Sequence, residues 1–232
     1  MKNTDLLTRI WNGAVNCRKC GIRELVLFSK LDADDFNHIH LPIYDYFYPQ
    51  SHQIYQAGEV GKHVYTIRSG IVKLEVENDS GEKRIVRLLG KGDAIGLEAI
   101  IGEPYRHFAS VLGPGDFCEI PVEVIENLRH HSPHLCEELL LRWDRSLQLA
   151  DEWLASMHTG NARQKVLKLI QHLAENTDDS SEFILPSRDE MSSILVLSSE
   201  TVSRIVADLK RENIIWDLGN GFYEFRHNPT SQ

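Results

Sequence analysis

Alternating apolar and polar positions, interrupted at short intervals by glycines, characterise residues 50 to 121. The alternation is clearest at Val72, Leu74 and Val76, and the tract NDSGE that follows has the composition of a hairpin turn. β-Branched residues recur in the neighbouring runs, which is typical of half-buried strands. The pattern predicts a small antiparallel barrel or roll of about eight short strands.

A different periodicity follows Pro121, where residues 134–158 form a stretch without proline or glycine. Its apolar positions are separated by alternating steps of four and three residues, the spacing of a helix that packs against a partner helix. We call these positions the heptad stripe: Cys136, Leu140, Trp143, Leu147, Ala150, Leu154 and Met157. All of them except Cys136 are expected to form a homodimer interface. The alternative is a single helix buried on its own barrel through Leu139, Leu141 and Leu149.

The chain after Gly160 has the pattern of a winged helix-turn-helix. ARQKVLKLIQHLAEN and residues 188–195 predict helices, and Ser198 is placed to cap another, because its hydroxyl can accept a hydrogen bond from the first turn. The tract GNG at 219–221 then fits the hairpin turn of a wing. The expected buried positions of the two-helix motif are Met191, Ile194, Val202, Ile205, Val206 and Leu209.

The exposed face of the capped helix carries groups that can read DNA. Arg204 can donate two parallel hydrogen bonds to guanine O6 and N7, and Glu200, one turn earlier, can accept from cytosine N4. Neighbouring side chains can bind phosphates. The candidate DNA contacts are Arg188, Ser199, Glu200, Thr201, Ser203 and Arg204. The alternative is a Glu200–Arg204 ion pair on a solvated face, worth only about 0.2–0.5 kcal/mol.

The charge of the chain bears on this prediction. The formal net charge is −9, and residues 161–232 contain eight lysines and arginines against eleven aspartates and glutamates. Because phosphate binding needs local positive charge, DNA affinity must depend on Arg188, Arg204, Lys210 and Arg211 lying on one face. The affinity should then fall steeply as the salt concentration rises.

Three segments of an α+β protein follow from these patterns: an N-terminal arm and sensory β-roll domain at 1–133, a dimerisation helix at 134–160, and a winged helix-turn-helix at 161–232. No apolar run approaches the ~20 residues that cross a bilayer, and the N-terminus lacks the apolar centre of a secretory signal. We therefore expect a cytoplasmic protein that does not bind membranes.

Cys17 and Cys20 form a Cys-x-x-Cys pair, while Cys118 and Cys136 are distant in the sequence. In a reducing cytosol such a pair is more often metal-binding or redox-active than part of a disulfide framework. Two thiols do not complete a zinc or iron–sulfur site, since both take four ligands. The pair is therefore part of a larger metal site, a redox-active dithiol or two inert thiols.

Four stretches together resemble the CRP/FNR superfamily of bacterial transcription regulators: YTIRSGIVKL, GDAIGLEAI, CEIP and SSETVSRIVADLKREN. The resemblance covers nearly the whole chain and implies a cyclic-nucleotide-binding-like jelly roll, a dimerisation helix and a winged helix-turn-helix that binds double-stranded DNA. The E-x-x-S-R spacing of Glu200, Ser203 and Arg204 is similar to that of the FNR branch. It implies a palindrome with TTGAT-like half-sites, RNA polymerase as a partner, and control by a redox or gas signal.

The resemblance to the FNR branch also implies an oxygen-sensitive [4Fe–4S] cluster held by four cysteines. Cys17, Cys20 and Cys118 match three of those positions, and Val26 stands at the remaining one. The candidates for a fourth ligand are Cys136, His38, His40, Asp32 and an external group. The alternatives to a cluster are redox-active or inert thiols, zinc, and haem, the last bound through His107 or the His38–His40 pair.

Two departures from the resembled family concern its signals. The cyclic-AMP branch has Gly-Glu and Arg-Ser pairs that hold the nucleotide phosphate; here Leu97 follows Gly96, and His107 follows Arg106, which argues against cyclic AMP. Members that switch between monomer and dimer are similar in having a carboxylate on the dimer helix, where this chain has Ala150. A buried carboxylate pair would repel and lose hydration, so Ala150 implies a dimer that forms without an effector.

Two other classes of protein compete with a regulator. A cupin-like barrel enzyme would need clustered histidine and carboxylate ligands on neighbouring strands, but His38 and His40 precede the predicted strands and lack such a partner. The sequence also has no G-x-S-x-G, phosphate loop or dinucleotide fingerprint, so we expect no enzymatic activity. An interaction scaffold that has lost DNA binding is the other alternative, and the acidic charge favours it.

Overall fold

The structure is a computed structural model that describes residues 13–14, 17, 20–22, 25–79, 81–157, 159–176, 182–219 and 221–226. Ser80 of the predicted NDSGE turn and Asn220 of the predicted wing turn lie outside these residues. The strands are β1 Gly13–Ala14, β2 Tyr44–Tyr48, β3 Gln53–Tyr55, β4 His63–Ile67, β5 Ile71–Glu77, β6 Lys83–Leu89, β7 Ala94–Ile95, β8 Phe108–Gly113, β9 Gly115–Pro121, β10 Glu182–Ile184, β11 Ile215–Gly219 and β12 Phe222–Phe225. The α-helices are α1 Val122–His131, α2 Pro133–Met157, α3 Ala162–Glu175, α4 Arg188–Leu195 and α5 Ser199–Arg211.

The predicted antiparallel roll consists of two packed sheets. One sheet has the strand order β1-β2-β9-β4-β7, and the other has the order β3-β8-β5-β6. The eight strands from β2 to β9 confirm the predicted fold, and Val72 and Leu74 are buried as their alternation indicates. The short strand β1, which pairs with the edge of β2, has no signal in the hydrophobic pattern.

Alternate residues of β9 contribute to two different cores, as the period of two in a strand requires. Phe117 lies between the two sheets with Tyr65 and Ile67. Cys118 and Ile120 point to the opposite face of the first sheet, where they pack against the segment from Leu27 to Leu31, α1 and the start of α2. The fold thus places Cys118 beneath residues 27–31.

Helix α1 was not predicted. It is short, and one side of it is well buried. Val124, Ile125 and Leu128 are fully buried at helical spacing, and the helix begins immediately after Pro121. Helix α2 matches the predicted long helix, and Leu139 packs on the core beneath it. The protein therefore uses one face of α2 internally and leaves another face outside.

The heptad stripe lies mainly on the outer face of α2. Leu140 is 69% exposed, while Leu147 and Leu154 are each 63% exposed. Met157 differs, because the last turn of α2 meets α3 and carries its side chain into the C-terminal core, where it is 3% exposed. Met157 is therefore corrected from an interface residue to a core residue.

The winged helix-turn-helix begins with two capped helices. Ser187 and Glu190 form a capping box on α4, and the Ser198 hydroxyl accepts a hydrogen bond from the Thr201 amide at 3.2 Å, which confirms the predicted cap of α5. All the expected apolar positions are buried: Met191, Ile194, Val202, Ile205, Val206 and Leu209. The wing is a sheet of order β10-β12-β11, in which β10 was not predicted.

The turn between α4 and α5 contains a strained residue. Val196 adopts a left-handed conformation with φ 54° and ψ 51°, and its side chain is 61% exposed. A β-branched residue in this region is unfavourable because its Cβ approaches the following carbonyl. The turn is therefore held in place by the two helices that it joins.

The winged helix-turn-helix docks on the roll of its own chain. The Lys73 ammonium lies 2.7 Å from a Glu190 carboxylate oxygen, and Ile85 and Leu88 of β6 belong to the C-terminal core. This contact connects α4 directly to the second sheet of the roll. No helix in the described part of the chain is long and apolar enough to span a membrane.

Candidate DNA-binding surface and cysteine site

Helix α5 presents Glu200, Ser203 and Arg204 to solvent on the face opposite its buried side. Within the described residues, the ion pairs of this helix involve other side chains, so the Glu200–Arg204 pair of the alternative interpretation is absent there. Arg204 consequently keeps its full set of guanidinium donors free for a ligand.

The remaining candidate contacts lie around the start of α5. The Ser199 hydroxyl donates to a carboxylate oxygen of Asp189 at 2.7 Å, and the Ser198 hydroxyl donates to Thr201 Oγ1 at 2.8 Å. Ser199 and Thr201 therefore already help to fix the first turn. Arg188, at the start of α4, is partly buried and approaches the Met191 sulfur at 3.5 Å.

The other basic residues of α5 have partners of their own. Lys210 is 2.8 Å from an Asp217 oxygen and donates to the Tyr223 hydroxyl at 3.2 Å, while Arg211 pairs with Asp208. These ion pairs neutralise positive charge at the end of the helix. Among the described residues of α5, Arg204 is thus the cation that remains available to DNA.

Three of the four cysteines line one small cavity on the outer face of the first sheet. Cys17 and Cys20 reach it from the segment after β1, and Cys118 reaches it from β9. The cavity volume is about 20 Å³, close to that of one water probe. Its lining residues are Cys17, Cys20, Val26, Leu27, Phe28, Ile43, Thr66, Cys118 and Ile120. The fold therefore brings together the three cysteines selected by resemblance.

Burial controls the protonation of these thiols. It raises the pKa of Cys17 to about 11, with a further contribution from Cys20, and it raises the pKa of Cys118 to about 12. The nearby Arg68 guanidinium acts in the opposite direction on both groups. At neutral pH the two thiols are protonated, so metal binding here must displace their protons.

The candidates for a fourth ligand lie elsewhere. Cys136 is exposed on α2, His38 stacks on His131 with ring centroids 4.2 Å apart, and Asp32 accepts hydrogen bonds from the amides of its own turn. Val26 lines the cavity but provides only an apolar side chain. Within the described ranges no three histidine, cysteine or carboxylate side chains stand at metal-binding separations.

Comparison with known proteins bears on both sites. Residues 47–132 match the Cyclic nucleotide-binding domain family, and residues 164–224 match the Crp-like helix-turn-helix domain family. The chain is 24% identical to the Fumarate and nitrate reduction regulatory protein of Vibrio cholerae, over 89% of this chain and 86% of that protein. It is 26% identical to the Anaerobic regulatory protein of Haemophilus influenzae, over 87% of this chain and 81% of that protein. The structure of FixK2 from Bradyrhizobium japonicum matches with a TM-score of 0.69 and 21% identity, over 81% of this chain and 94% of that one.

This chain belongs to the CRP/FNR superfamily. The matched families and relatives are transcription regulators, so the protein is a DNA-binding transcription regulator and not an enzyme. The solved structure supports the same fold, with a roll, connecting helices and a C-terminal helix-turn-helix. Helix α5 is the second helix of the helix-turn-helix in this regulator, the position that the recognition helix has in such motifs.

A second cavity of the regulator, about 530 Å³ in volume, lies between the roll and α2. The Arg87 guanidinium donates to the Ser146 hydroxyl at 2.8 Å, and Glu98 accepts from the Arg106 amide at 2.9 Å. Burial lowers the pKa of His107, which also lines the cavity. Arg87 therefore helps to hold α2 in place, and Glu98 helps to hold the loop that precedes β8.

Arg142 is a functional candidate that the sequence did not single out. Its guanidinium donates to the carbonyls of Leu25 and Val26 at 2.9 and 3.1 Å and to Glu138 at 2.5 and 2.8 Å. Glu138 precedes Arg142 by four residues, a spacing that is usual for solvated helix pairs. Only the fold shows that Arg142 connects Leu25 and Val26, which follow the Cys17–Cys20 pair, to α2.

Proposed function

We propose that this regulator binds DNA as a homodimer at a palindrome with TTGAT-like half-sites, with one α5 helix in each of two successive major grooves. The strongest support is the Arg204 side chain, which is exposed and lacks an ion pair among the described residues. Glu200 lies one turn earlier on the same exposed face. A dimer with two-fold symmetry would place these helices about 34 Å apart.

Titration of a labelled palindromic duplex, followed by fluorescence anisotropy, tests the role of Arg204. Arg204→Ala should weaken binding by about 5- to 150-fold, equivalent to about 1–3 kcal/mol, and should relax the preference at one base pair of each half-site. Arg211→Ala is the matched control, because Arg211 lies on the same helix and already pairs with Asp208. It should weaken binding less and equally on all sequences, and equal losses in both variants would contradict the proposal.

The homodimer in this proposal forms through the heptad stripe of α2. Leu140, Leu147 and Leu154 are each more than 60% exposed, and they follow one another at steps of seven residues. Exposed leucines in a continuous row favour a second copy of the same helix. Ala150 between them adds no charge, so pairing needs no effector.

Light scattering on the purified protein measures this association. Leu147→Asp should produce monomers, because it buries two carboxylates at the two-fold axis. Leu141→Asp is the control, since Leu141 is 46% exposed on the same helix but lies outside the stripe. A monomeric unmodified protein, or equal effects of the two substitutions, would contradict the dimer.

The cysteine cavity is the proposed sensor of a redox or gas signal. Three thiols meet there, and the buried Thr66 hydroxyl that lines the cavity has no hydrogen-bond partner within the described chain. These thiols are ligands of the kind that a [4Fe–4S] cluster takes and would supply three of its four ligands, although they do not stand in a preformed coordination geometry. A bound cluster would supply lability toward oxygen or nitric oxide. Cys17 and Cys118 would give up their protons on ligation, and the Arg68 charge would favour that step.

The proposed route from the sensor to DNA passes through Arg142. Arg142 belongs to α2 and donates hydrogen bonds to the carbonyls of Leu25 and Val26. A change at Cys17 or Cys20 that displaces residues 25–26 would therefore also displace α2. Gly160, with φ +95°, forms the hinge between α2 and the winged helix-turn-helix. Rotation there sets the spacing of the two recognition helices. On a promoter, RNA polymerase is the expected protein partner.

Metal and cofactor analysis of protein purified without oxygen distinguishes the cluster from its alternatives. A cluster predicts a broad absorption near ~400 nm and about four iron per chain. Zinc content without colour would favour a zinc site, and an intense narrow haem band would favour haem. A colourless, metal-free protein would favour redox-active or inert thiols.

A further inference from the structure

A hydrogen bond joins the first turns of the two helices of the helix-turn-helix. Ser199 is the first residue of α5, Asp189 lies in the first turn of α4, and Ser199 Oγ is 2.7 Å from Asp189 Oδ1. Asp189 is exposed and Ser199 is partly exposed. Because the N-terminal residues of a recognition helix contact base edges, this hydrogen bond lies where DNA would bind.

The direction of this hydrogen bond follows from the chemistry of its two groups. An ionised carboxylate only accepts hydrogen bonds, whereas a serine hydroxyl has one proton and two lone pairs. The Ser199 proton is therefore donated to Asp189, and the Ser199 oxygen can offer only its lone pairs to DNA. Phosphate oxygens are themselves acceptors, and the negative charge of Asp189 repels them. Ser199 is thus unsuited to bind a phosphate, although a serine with an unused proton could do so.

Only two groups in the major groove can donate a hydrogen bond to such an acceptor. They are the N6 amino group of adenine and the N4 amino group of cytosine. Guanine offers O6 and N7 there, and thymine offers O4, all of which are acceptors. A Ser199 oxygen that has no proton to give therefore favours a base with an amino group and disfavours guanine and thymine.

We propose that Ser199 reads a base amino group, adenine N6 or cytosine N4, and that Asp189 is the positioning residue that gives Ser199 this preference. The inference rests on the proposed function, in which α5 enters the major groove. Asp189 takes the hydroxyl proton, and its charge keeps phosphates away from Ser199. The half-site thus has a selective position in addition to those contacted by Glu200 and Arg204.

Titration of labelled palindromic duplexes, followed by fluorescence anisotropy, tests the contact. Each adenine of the half-site is replaced in turn by purine, and each cytosine by 2-pyrimidinone, because these analogues lack only the amino group. One replacement should weaken binding of the unmodified protein about 3- to 10-fold per half-site, a loss that we call the amino-group dependence. It should vanish in Ser199→Ala and persist in Ser199→Thr, which keeps a hydroxyl. A loss with purine identifies adenine, and a loss with 2-pyrimidinone identifies cytosine.

Two substitutions of Asp189 separate its orienting role from its charge. Asp189→Ala releases the Ser199 proton, so the amino-group dependence should shrink to less than about twofold, while every duplex is bound more tightly because a negative charge is lost. Asp189→Asn loses the same charge but keeps an oxygen that accepts the proton, so it should retain the dependence. Asp208→Ala is the matched control, because Asp208 is a carboxylate of α5 that pairs with Arg211. It should also tighten binding but leave the dependence unchanged.

The possible failures can be told apart. An amino-group dependence that is absent from the unmodified protein, or equal in Ser199→Ala, would overturn the role of Ser199, and an equal dependence in Asp189→Ala would overturn the role of Asp189. If Arg204→Ala still relaxes its own base preference, reading of DNA by α5 stands and only this inference fails. An unmodified protein that binds all duplexes equally would overturn both. Circular dichroism establishes that each variant is folded, and the two Ser199 variants still decide the question if Asp189→Ala fails to fold.

Discussion

Replacement of Arg142 by methionine should destabilise the regulator more than almost any other single substitution on α2. The side chains of Arg142 and Glu138 are 13% and 4% exposed, so the substitution leaves a buried carboxylate without its counter-ion. Loss of one partner of a buried pair costs about 3–5 kcal/mol. Val26 is 9% exposed as a residue, and its carbonyl also loses a hydrogen-bond donor, which costs about 1 kcal/mol.

The sum of these effects predicts a loss of about 4–6 kcal/mol in the free energy of unfolding. Urea denaturation followed by tryptophan fluorescence measures it, at one fixed protomer concentration because the protein is proposed to be a dimer. The double variant Arg142→Met/Glu138→Met removes both charges and should recover about 2 kcal/mol or more relative to the single variant. Hydrogen exchange should increase at residues 25–28 in both variants.

The refuting result is specific to the pair. If Arg142→Met lowers the free energy of unfolding by less than about 1 kcal/mol, the Glu138–Arg142 pair behaves like an exposed helix pair. The hydrogen bonds of Arg142 to Leu25 and Val26 are then unimportant for stability. If the double variant is no more stable than the single one, the loss does not come from a stranded carboxylate. The first outcome would remove Arg142 from the proposed route between the sensor and α2, whereas the second would assign the loss to the hydrogen bonds of Arg142 with the carbonyls of Leu25 and Val26.

Three further predictions follow from single residues. Val196→Gly should stabilise the protein by about 0.5–1 kcal/mol, because relief of the left-handed strain exceeds the added chain entropy, and a lower thermal midpoint would contradict this. In the metal-free protein, iodoacetamide at neutral pH should label Cys118 only after denaturant has unfolded the chain, because burial keeps this thiol protonated, and mass spectrometry that finds Cys118 labelled in the native protein would refute its burial. Burial raises the pKa of Glu190, but hydrogen bonds from Lys73 and Ser187 lower it below its ordinary value of 4.5. Ionised Glu190 therefore stabilises the folded protein above that pH, and this stabilisation is lost as the pH falls through the lowered pKa of the folded state. Glu190→Gln should accordingly make the free energy of unfolding less dependent on pH in the acid range.

Elements with a strong local pattern could be predicted from the sequence. Val72 and Leu74 alternate because one face of β5 is buried, and α5 has both a capping Ser198 and an apolar face. Short elements such as β1, β10 and α1 could not be predicted, because they are held by pairing and packing with distant parts of the chain. Local sequence contains little information about such partners.

The cysteine site shows the same limit. The Cys17–Cys20 spacing and the CEIP stretch indicated which thiols matter, but not what surrounds them. Arg142 is an ordinary charged residue in the sequence, and its position beside the carbonyl of Val26 depends on the packing of α2. Met157 was misplaced for a similar reason, since heptad spacing does not reveal where a helix meets the next domain.

The central claim is that the cysteine site controls DNA binding by α5. Titration of a labelled TTGAT-like palindrome with protein purified without oxygen, repeated on the same sample after exposure to air, tests it most directly. We expect tight, salt-sensitive binding before exposure, followed by at least a tenfold loss of affinity as the iron is released, while light scattering still reports a dimer. Equal affinity before and after air, in a protein without iron, would contradict the account.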